Sequence, residues 1–303
     1  MDLPVSDAAA AGAPPFVISR PARQTAPLVF TSAHSGRFYA PDFLALSRLE
    51  PLALRRSEDS FVEELFEAAP EAGAPLLAAT FPRAFCDANR ERWELDPAMF
   101  QERLPAWVNT GSARVGAGLG MIARIVASGE PIYRAKLPFA EAERRVRSFW
   151  QPFHDALAAL VLETRQAFGA CLLVDCHSMP ASSGDGRRQG SHSIAEHTSH
   201  ADVVLGDAYG TTCAPAITAW FERTLRALGY SVRRNEPYAG GYITRHYGRP
   251  PEGVQALQVE INRSLYMVEA TLEPRPGFRR VQEDVGRLVH ALAHDAPDLL
   301  GRP

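Results

Sequence analysis

The chain has 303 residues, enough for one large α/β domain or two modest ones. Apolar residues make up 46% and charged residues 22%, the balance of a soluble globular protein with a full core. A net charge of −3, with no basic cluster interleaved with aromatics, argues against a nucleic-acid surface. No apolar run approaches the roughly 20 residues that a membrane helix needs.

Met1 to Pro15 is rich in Ala and Pro and lacks the basic and apolar segments of a signal peptide. Residues 1–15 therefore read as a disordered tail ahead of one α/β domain over 16–303. The four cysteines, Cys86, Cys171, Cys176 and Cys213, form no CxxC pair. Two of them sit in an apolar run, so buried free thiols in a reducing cytoplasm are expected. Arginine dominates the basic residues, which suits fixed carboxylate recognition.

Pro27 to Phe30 is an apolar run that ends in Thr31-Ser32-Ala33-His34-Ser35-Gly36, a strand delivering a histidine before a tight turn. Leu49 to Ala69 reads as a helix with Ser57 as an N-cap, Glu58 and Asp59 in its first turn, and Phe61, Val62, Leu65 and Phe66 as its buried stripe. For the two acids, dipole compensation is the ordinary role. Ala74 to Phe81 is a further strand. It leads into Arg83-Ala84-Phe85-Cys86-Asp87-Ala88-Asn89-Arg90, whose charge density suits a surface loop or a carboxylate-binding wall.

Gly118-Leu119-Gly120-Met121-Ile122-Ala123 matches a loose GxGxxA. No strand precedes it and no acidic strand end follows about 20 residues on, so it is no dinucleotide fingerprint. The glycines read as a turn before a short helix, Met121 to Ala127. Phe139 to Phe168 is a long amphipathic helix, kinked or broken at Pro152, with His154 on its face.

Cys171-Leu172-Leu173-Val174-Asp175-Cys176-His177-Ser178 is the second strand with a histidine at its end, and it reads as a buried central strand of a parallel sheet. Carboxyl ends of such strands are where ligands bind. A strand-end histidine hydrogen-bonded to backbone is the alternative for His177. Ala181 to Ala201 is polar, with His192, His197 and His200 at irregular spacing, and reads as a lid or binding loop rather than a second metal site. Asp202–Gly206 and Tyr230–Arg234 are strands around the helix Pro215–Leu228. Gln255 to Ile261 is a strand with Glu260 near its end, and a helix from Pro276 to His294 closes the chain. His290 and His294 have i, i+4 spacing but no accompanying HExxH glutamate, so a solvated last turn is expected. Strands and helices alternate, which favours an α/β fold with a mainly parallel, mixed sheet flanked by helices.

No GxSxG elbow is present. Cys176 and His177 point to opposite faces of their strand and cannot form a nucleophile–base pair. What remains is His34, His177, a carboxylate and Glu260. Two imidazoles and one carboxylate make a three-ligand zinc site with an open position for water, and a nearby glutamate can take that water's proton. Asp175 shares a face with His177, where it either supports the imidazole or orients a substrate loop.

Five segments carry a family resemblance. Ser32-Ala33-His34-Ser35-Gly36, Asp87-Ala88-Asn89-Arg90, Asp175-Cys176-His177-Ser178-Met179-Pro180, Asn235-Glu236-Pro237-Tyr238-Ala239-Gly240-Gly241-Tyr242 and Gln258-Val259-Glu260-Ile261-Asn262-Arg263-Ser264-Leu265-Tyr266-Met267 resemble the N-formylglutamate amidohydrolase family, in order, over about residues 16 to 295. The resemblance implies a single catalytic domain with a phosphorylase/hydrolase-like, zinc-carboxypeptidase-like fold. It also implies one Zn2+ ion and hydrolysis of an N-formyl amino acid, foremost N-formyl-L-glutamate, to formate and the free amino acid, as in histidine catabolism.

Carried over residue by residue, His34 and His177 resemble metal ligands and Glu260 the general base. Carboxypeptidase-like enzymes place a Glu three residues after the first His, where this chain has Arg37, and Ala33 replaces a common proline. The acidic pair Glu58-Asp59 is where this family keeps its acid, and Asp59 is taken as the third ligand. Asn89 and Arg90 resemble the pair that binds the substrate carboxylate, with Arg83 and Arg124 as further carboxylate-holding candidates. Ser178, Asn235 and Tyr238 complete the substrate-binding set. A related zinc hydrolase of another N-acyl amino acid or a peptide, and a metal-free binding protein on the same fold, are the alternative functions; the expected partner is a small N-acyl amino acid, with oligomeric state open.

Overall fold

A computed structural model describes residues 14–181 and 201–301. The expected tail falls almost entirely outside them, as do His192, His197, His200 and nearly all of the polar stretch that contains them. In chain order the strands of the main sheet are β1 (Phe16–Ser19), β2 (Leu28–Ser32), β3 (Leu76–Ala79), β4 (Cys171–Met179), β5 (Val203–Gly206), β6 (Val232–Arg234) and β7 (Val254–Asn262). The helices are α1 (Pro41–Leu46), α2 (Pro51–Arg55), α3 (Val62–Leu65), α4 (Ala113–Gly116), α5 (Phe139–Arg145), α6 (Gln151–Phe168), α7 (Pro215–Ala227), α8 (Tyr242–Tyr247) and α9 (Phe278–Leu299).

The sheet has seven strands in the order β1-β3-β2-β4-β7-β5-β6. β2 with β4, β4 with β7, and β5 with β6 run parallel, whereas β5 meets β7 antiparallel. This is the mainly parallel, mixed α/β sheet that the alternation of elements predicts.

The chain divides into two compact units. The first comprises Met1–Ile18, Ser32–Ser60 and Leu77–Ala159. Its aromatic residues pack edge to face: Phe85 meets Phe149 at 4.9 Å and Phe43 at 5.3 Å, and Phe81 meets Phe149 at 5.5 Å. Arg145 is wholly buried among them, its guanidinium 4.1 Å from the centre of the Phe85 ring and bonded to Glu141. Charge over a ring face and a paired carboxylate together offset the cost of burying that cation.

The second unit comprises Ser19–Thr31, Phe61–Leu76 and Leu160–Pro303. Its core joins Leu172, Val174 and Cys176 of β4 and Leu257, Val259 and Ile261 of β7 to apolar residues of α3, α7 and α9. Each such side chain contributes about 1.5–3 kcal/mol by leaving water. Because strand side chains alternate, the opposite face of the same two strands carries Asp175, His177, Gln258 and Glu260, all buried. The parallel register places Asp175 beside Gln258 and His177 beside Glu260.

Two expected helices are absent. The segment Leu49–Ala69 holds only the short α2 and α3, and Ser57, Glu58 and Asp59 lie outside both. Phe61 adopts a left-handed backbone (φ 69°), which ends helical continuity, and the Ser57 hydroxyl accepts the Ala127 N–H instead of capping a helix. Met121–Ala127 is irregular, held by isolated bridges from Leu119 to Ala123 and from Ile125 to Pro131. Gly120 is there for close approach: a Cβ would stand 2.4 Å from the Glu94 carbonyl oxygen. The long helix is present as α5 and α6 joined by a π-helical turn, Val146–Trp150, just before Pro152. All four cysteines are buried thiols, and burial pushes Cys171 and Cys213 up to about 12. No helix among the described residues is long and apolar enough to cross a membrane.

Candidate active site

In the first unit the site begins two residues beyond β2. Gly36 lets the chain turn there, since a Cβ would stand 2.2 Å from the Phe81 carbonyl oxygen. His34 follows the strand, buried, and its carbonyl accepts the Asp59 N–H at 3.1 Å. That backbone bond, with the left-handed Phe61 two residues on, presents Asp59 to the imidazole: Asp59 Oδ2 is 3.5 Å from His34 Nδ1. Glu58 is engaged elsewhere. Its carboxylate accepts Arg55 Nε and Nη2 at 3.0 and 3.2 Å and the Ser60 hydroxyl at 2.8 Å.

The other imidazole nitrogen, His34 Nε2, lies 2.6 Å from Asp87 Oδ1. Asp87 also accepts Arg83 Nη2 at 2.9 Å and the Asn89 N–H at 2.9 Å. Burial alone would raise its pKa, but the charges of His34, Arg83 and Arg90 outweigh that and hold the carboxyl well below the usual range. Arg90 is buried too and its guanidinium is pulled below its ordinary pKa by burial, with Asp87 opposing. Arg90 donates from Nε to the Leu119 carbonyl and from Nη1 to the Asn89 carbonyl. The helix of α5 and α6 holds this loop by its carbonyls: Arg145 donates to Phe85, Trp150 to Arg90 at 2.9 Å, and His154 Nε2 meets the Ala88 carbonyl at 2.8 Å. His154 is thus no simple helix-face residue. It is buried and stacked on Trp150 at 3.9 Å.

In the second unit His177 is buried near the end of β4, with Nε2 2.9 Å from Asp175 Oδ1. Asp175 in turn accepts the Thr244 hydroxyl of α8 at 3.1 Å. Of the two readings of Asp175, the structure supports the one in which it braces the imidazole. Glu260 Oε1 accepts the Gln258 amide at 2.7 Å. Ser178 accepts Arg263 Nε at 3.1 Å. Tyr238 packs beside Met179, Ala201 and Val204.

Of the three expected metal ligands, His34 and Asp59 face each other in the first unit, and His177 belongs to the second; all three are buried. Two of the sequence candidates are bonded elsewhere. Arg124 Nε donates to Asp96 at 2.7 Å beside the groove lined by Thr110, Ser112 and Val115, and the Asn235 amide bonds Asp207 at 2.8 Å. Asp87 and Gln258 escaped the sequence reading although both lie inside quoted motifs; the acid of Asp87-Ala88-Asn89-Arg90 and the polar residue at i−2 from Glu260 were the available signals.

Imidazoles braced by carboxylates and a buried glutamate near a strand end are groups that general acid–base and hydrolytic chemistry uses. The sequence profile of the family described as N-formylglutamate amidohydrolase matches residues 26–267. The chain is 30% identical to the N-formylglutamate deformylase of Pseudomonas aeruginosa, over 82% of this chain and 84% of that one. It is 28% identical to the protein of the same name from Pseudomonas putida, over 80% and 82%. Its fold superimposes on the crystal structure of N-formylglutamate amidohydrolase from Ralstonia eutropha JMP134 with a TM-score of 0.83 and 39% identity, covering 92% of this chain and 97% of that one. The chain belongs to the N-formylglutamate amidohydrolase family.

Proposed function

We propose that the chain is a zinc-dependent deformylase that hydrolyses N-formyl-L-glutamate to formate and glutamate, in the cytoplasm and within histidine breakdown. The substrate follows the names of its relatives. The observation that supports the metal is the bracing of both imidazoles: Nε2 of His34 and Nε2 of His177 each meet an aspartate, as the rings of metal-ligating histidines do. With Asp59 the two histidines would make a two-nitrogen, one-oxygen donor set, the kind that suits a catalytic zinc with an open position. When bound, zinc supplies Lewis acidity and lowers the pKa of water to about 7.

In this reading Glu260 takes a proton from the attacking water and passes it to the departing amine nitrogen. Arg90, Asn89 and Arg83 read the substrate carboxylates, an arginine fork suiting them. Arg124 and Asn235 are the further candidates; they donate to Asp96 and Asp207, as Arg83 donates to Asp87 and Arg90 to two carbonyls. Ser178 and Tyr238 sit at and beside the end of β4 and would line the formyl side.

The test is a panel of N-formyl and N-acyl Glu, Asp and neutral amino acids, with zinc measured on the same preparations. Release of amine from N-formyl-Glu with stoichiometric zinc is expected. His177→Ala should lose zinc and activity, whereas Glu260→Gln should keep zinc and lose turnover. Preference for another acyl group would make it a related N-acyl hydrolase. Protein that neither holds nor regains zinc would be a binding protein on this fold.

A further inference from the structure

The amide of Gln258 occupies a fixed place between two groups of known polarity. Gly241 N–H lies 2.7 Å from Gln258 Oε1, and Gln258 Nε2 lies 2.7 Å from Glu260 Oε1. A backbone N–H can only donate, so the amide oxygen faces Gly241 and the NH2 group faces the carboxylate. The orientation of this side chain is therefore set by its chemistry, and Glu260 Oε1 is an acceptor. Gln258 and Glu260 are 4% and 6% exposed, so few waters compete for these bonds. They leave β7 on the same face, beside Asp175 and His177 of β4 respectively.

We propose that Gln258 is a positioning residue for the hydrolysis: it holds Oε1 of Glu260 and so fixes the plane in which the carboxylate meets the attacking water. The terminal torsion of a glutamate is broad and carries little preference of its own. The amide removes that freedom, and the Gly241 N–H at the start of α8 anchors the amide. The motif residues Gly240-Gly241 and Gln258-Val259-Glu260 thus form one device, a turn that aims a carboxylate through a glutamine. The inference rests on Glu260 being the base.

The test is a double-mutant cycle on the zinc-loaded enzyme. Gln258→Met keeps length and volume and removes the donor. Its kcat should fall roughly 10- to 100-fold, as for a misplaced catalytic group. KM should stay within about twofold and zinc content should not change. Introduced into Glu260→Gln, the same substitution should change the residual turnover less than about twofold, because it acts through the group already removed. Equal losses in both backgrounds, or a loss that tracks zinc content, would make Gln258 a packing residue and overturn the proposal. Should Gln258→Met not fold, Gln258→Asn, which keeps the amide one methylene short, carries the same cycle with the same outcomes. If Glu260→Gln alone retains turnover, the base assignment falls; if it is inactive while Gln258→Met turns over normally, only the positioning role falls.

Discussion

Asp87 Oδ1 stands 2.6 Å from His34 Nε2, while Nδ1 of the same ring faces Asp59 at 3.5 Å. One carboxylate thus holds one edge of the ring, and through Arg83 and the Asn89 N–H it also ties the imidazole to the loop carrying Arg90. A carboxylate behind a metal-ligating histidine fixes its tautomer and raises its basicity. Asp87→Asn should weaken zinc affinity roughly 10- to 100-fold, measured against a competing chelator. Activity should recover partly in excess zinc. Unchanged affinity would remove Asp87 from this role.

Trp150 joins the helix to the same loop through its indole N–H, which donates to the Arg90 carbonyl at 2.9 Å. Trp150→Phe keeps an aromatic ring and removes the donor, leaving a buried carbonyl without it. The expected cost is about 1–3 kcal/mol in urea unfolding. If Arg90 reads the substrate, KM should rise several-fold with kcat little changed. A kcat loss at constant KM would place the loop's contribution in the chemical step instead.

Glu141 gives a pH dependence. Burial raises its pKa, but the hydrogen bond from Arg144 and the charge and bond of Arg145 prevail and lower it below the ordinary carboxylate value. A carboxyl whose pKa is lower folded than unfolded contributes stability that is present above the unfolded value, near 4.3, and lost as pH falls through the folded one. The urea midpoint should therefore drop below about pH 4.5, and Glu141→Gln should flatten that drop. A mutant with an undiminished acid slope would show that other carboxyls dominate.

Gly36 is a site where a methyl group has no room, because the obstacle 2.2 Å away is the Phe81 carbonyl, backbone rather than a movable side chain. Gly36→Ala should displace the turn that follows His34 and cost several kcal/mol, on the order of 2–4. Thermal unfolding and zinc retention would fall together. A variant with native stability would mean that the turn can relax at no cost.

Much of the sheet was legible because its signals are local. The apolar runs Leu28–Phe30 and Cys171–Val174 and the strand Gln255–Ile261 declare strands of the main sheet by composition, and the polar residues that follow or alternate with them declare what those strands deliver. The opposed faces of β4 follow from the twofold period alone, which already separates Cys176 in the core from His177. The failed helix Leu49–Ala69 shows the limit. Its apolar spacing is helical, but Asp59 is bonded through its N–H to the His34 carbonyl and Phe61 takes a left-handed backbone, and neither fact leaves a trace in local periodicity.

By itself the sequence determined the alternation of strands and helices, the two histidines beyond or near strand ends, the buried thiols and the family motifs, because each of these is written in neighbouring residues. Only the tertiary structure decided that Glu58 is taken up by Arg55 and Ser60 while Asp59 faces His34, that Asp87 braces that ring, and that Gln258 bridges Gly241 and Glu260. The approach of Asp59 and Asp87 to His34 and the bond from Gly241 to Gln258 join residues well separated in the chain. Adjacent acids such as Glu58 and Asp59 are chemically alike, and only a backbone path settled elsewhere in the fold directs one of them into the site.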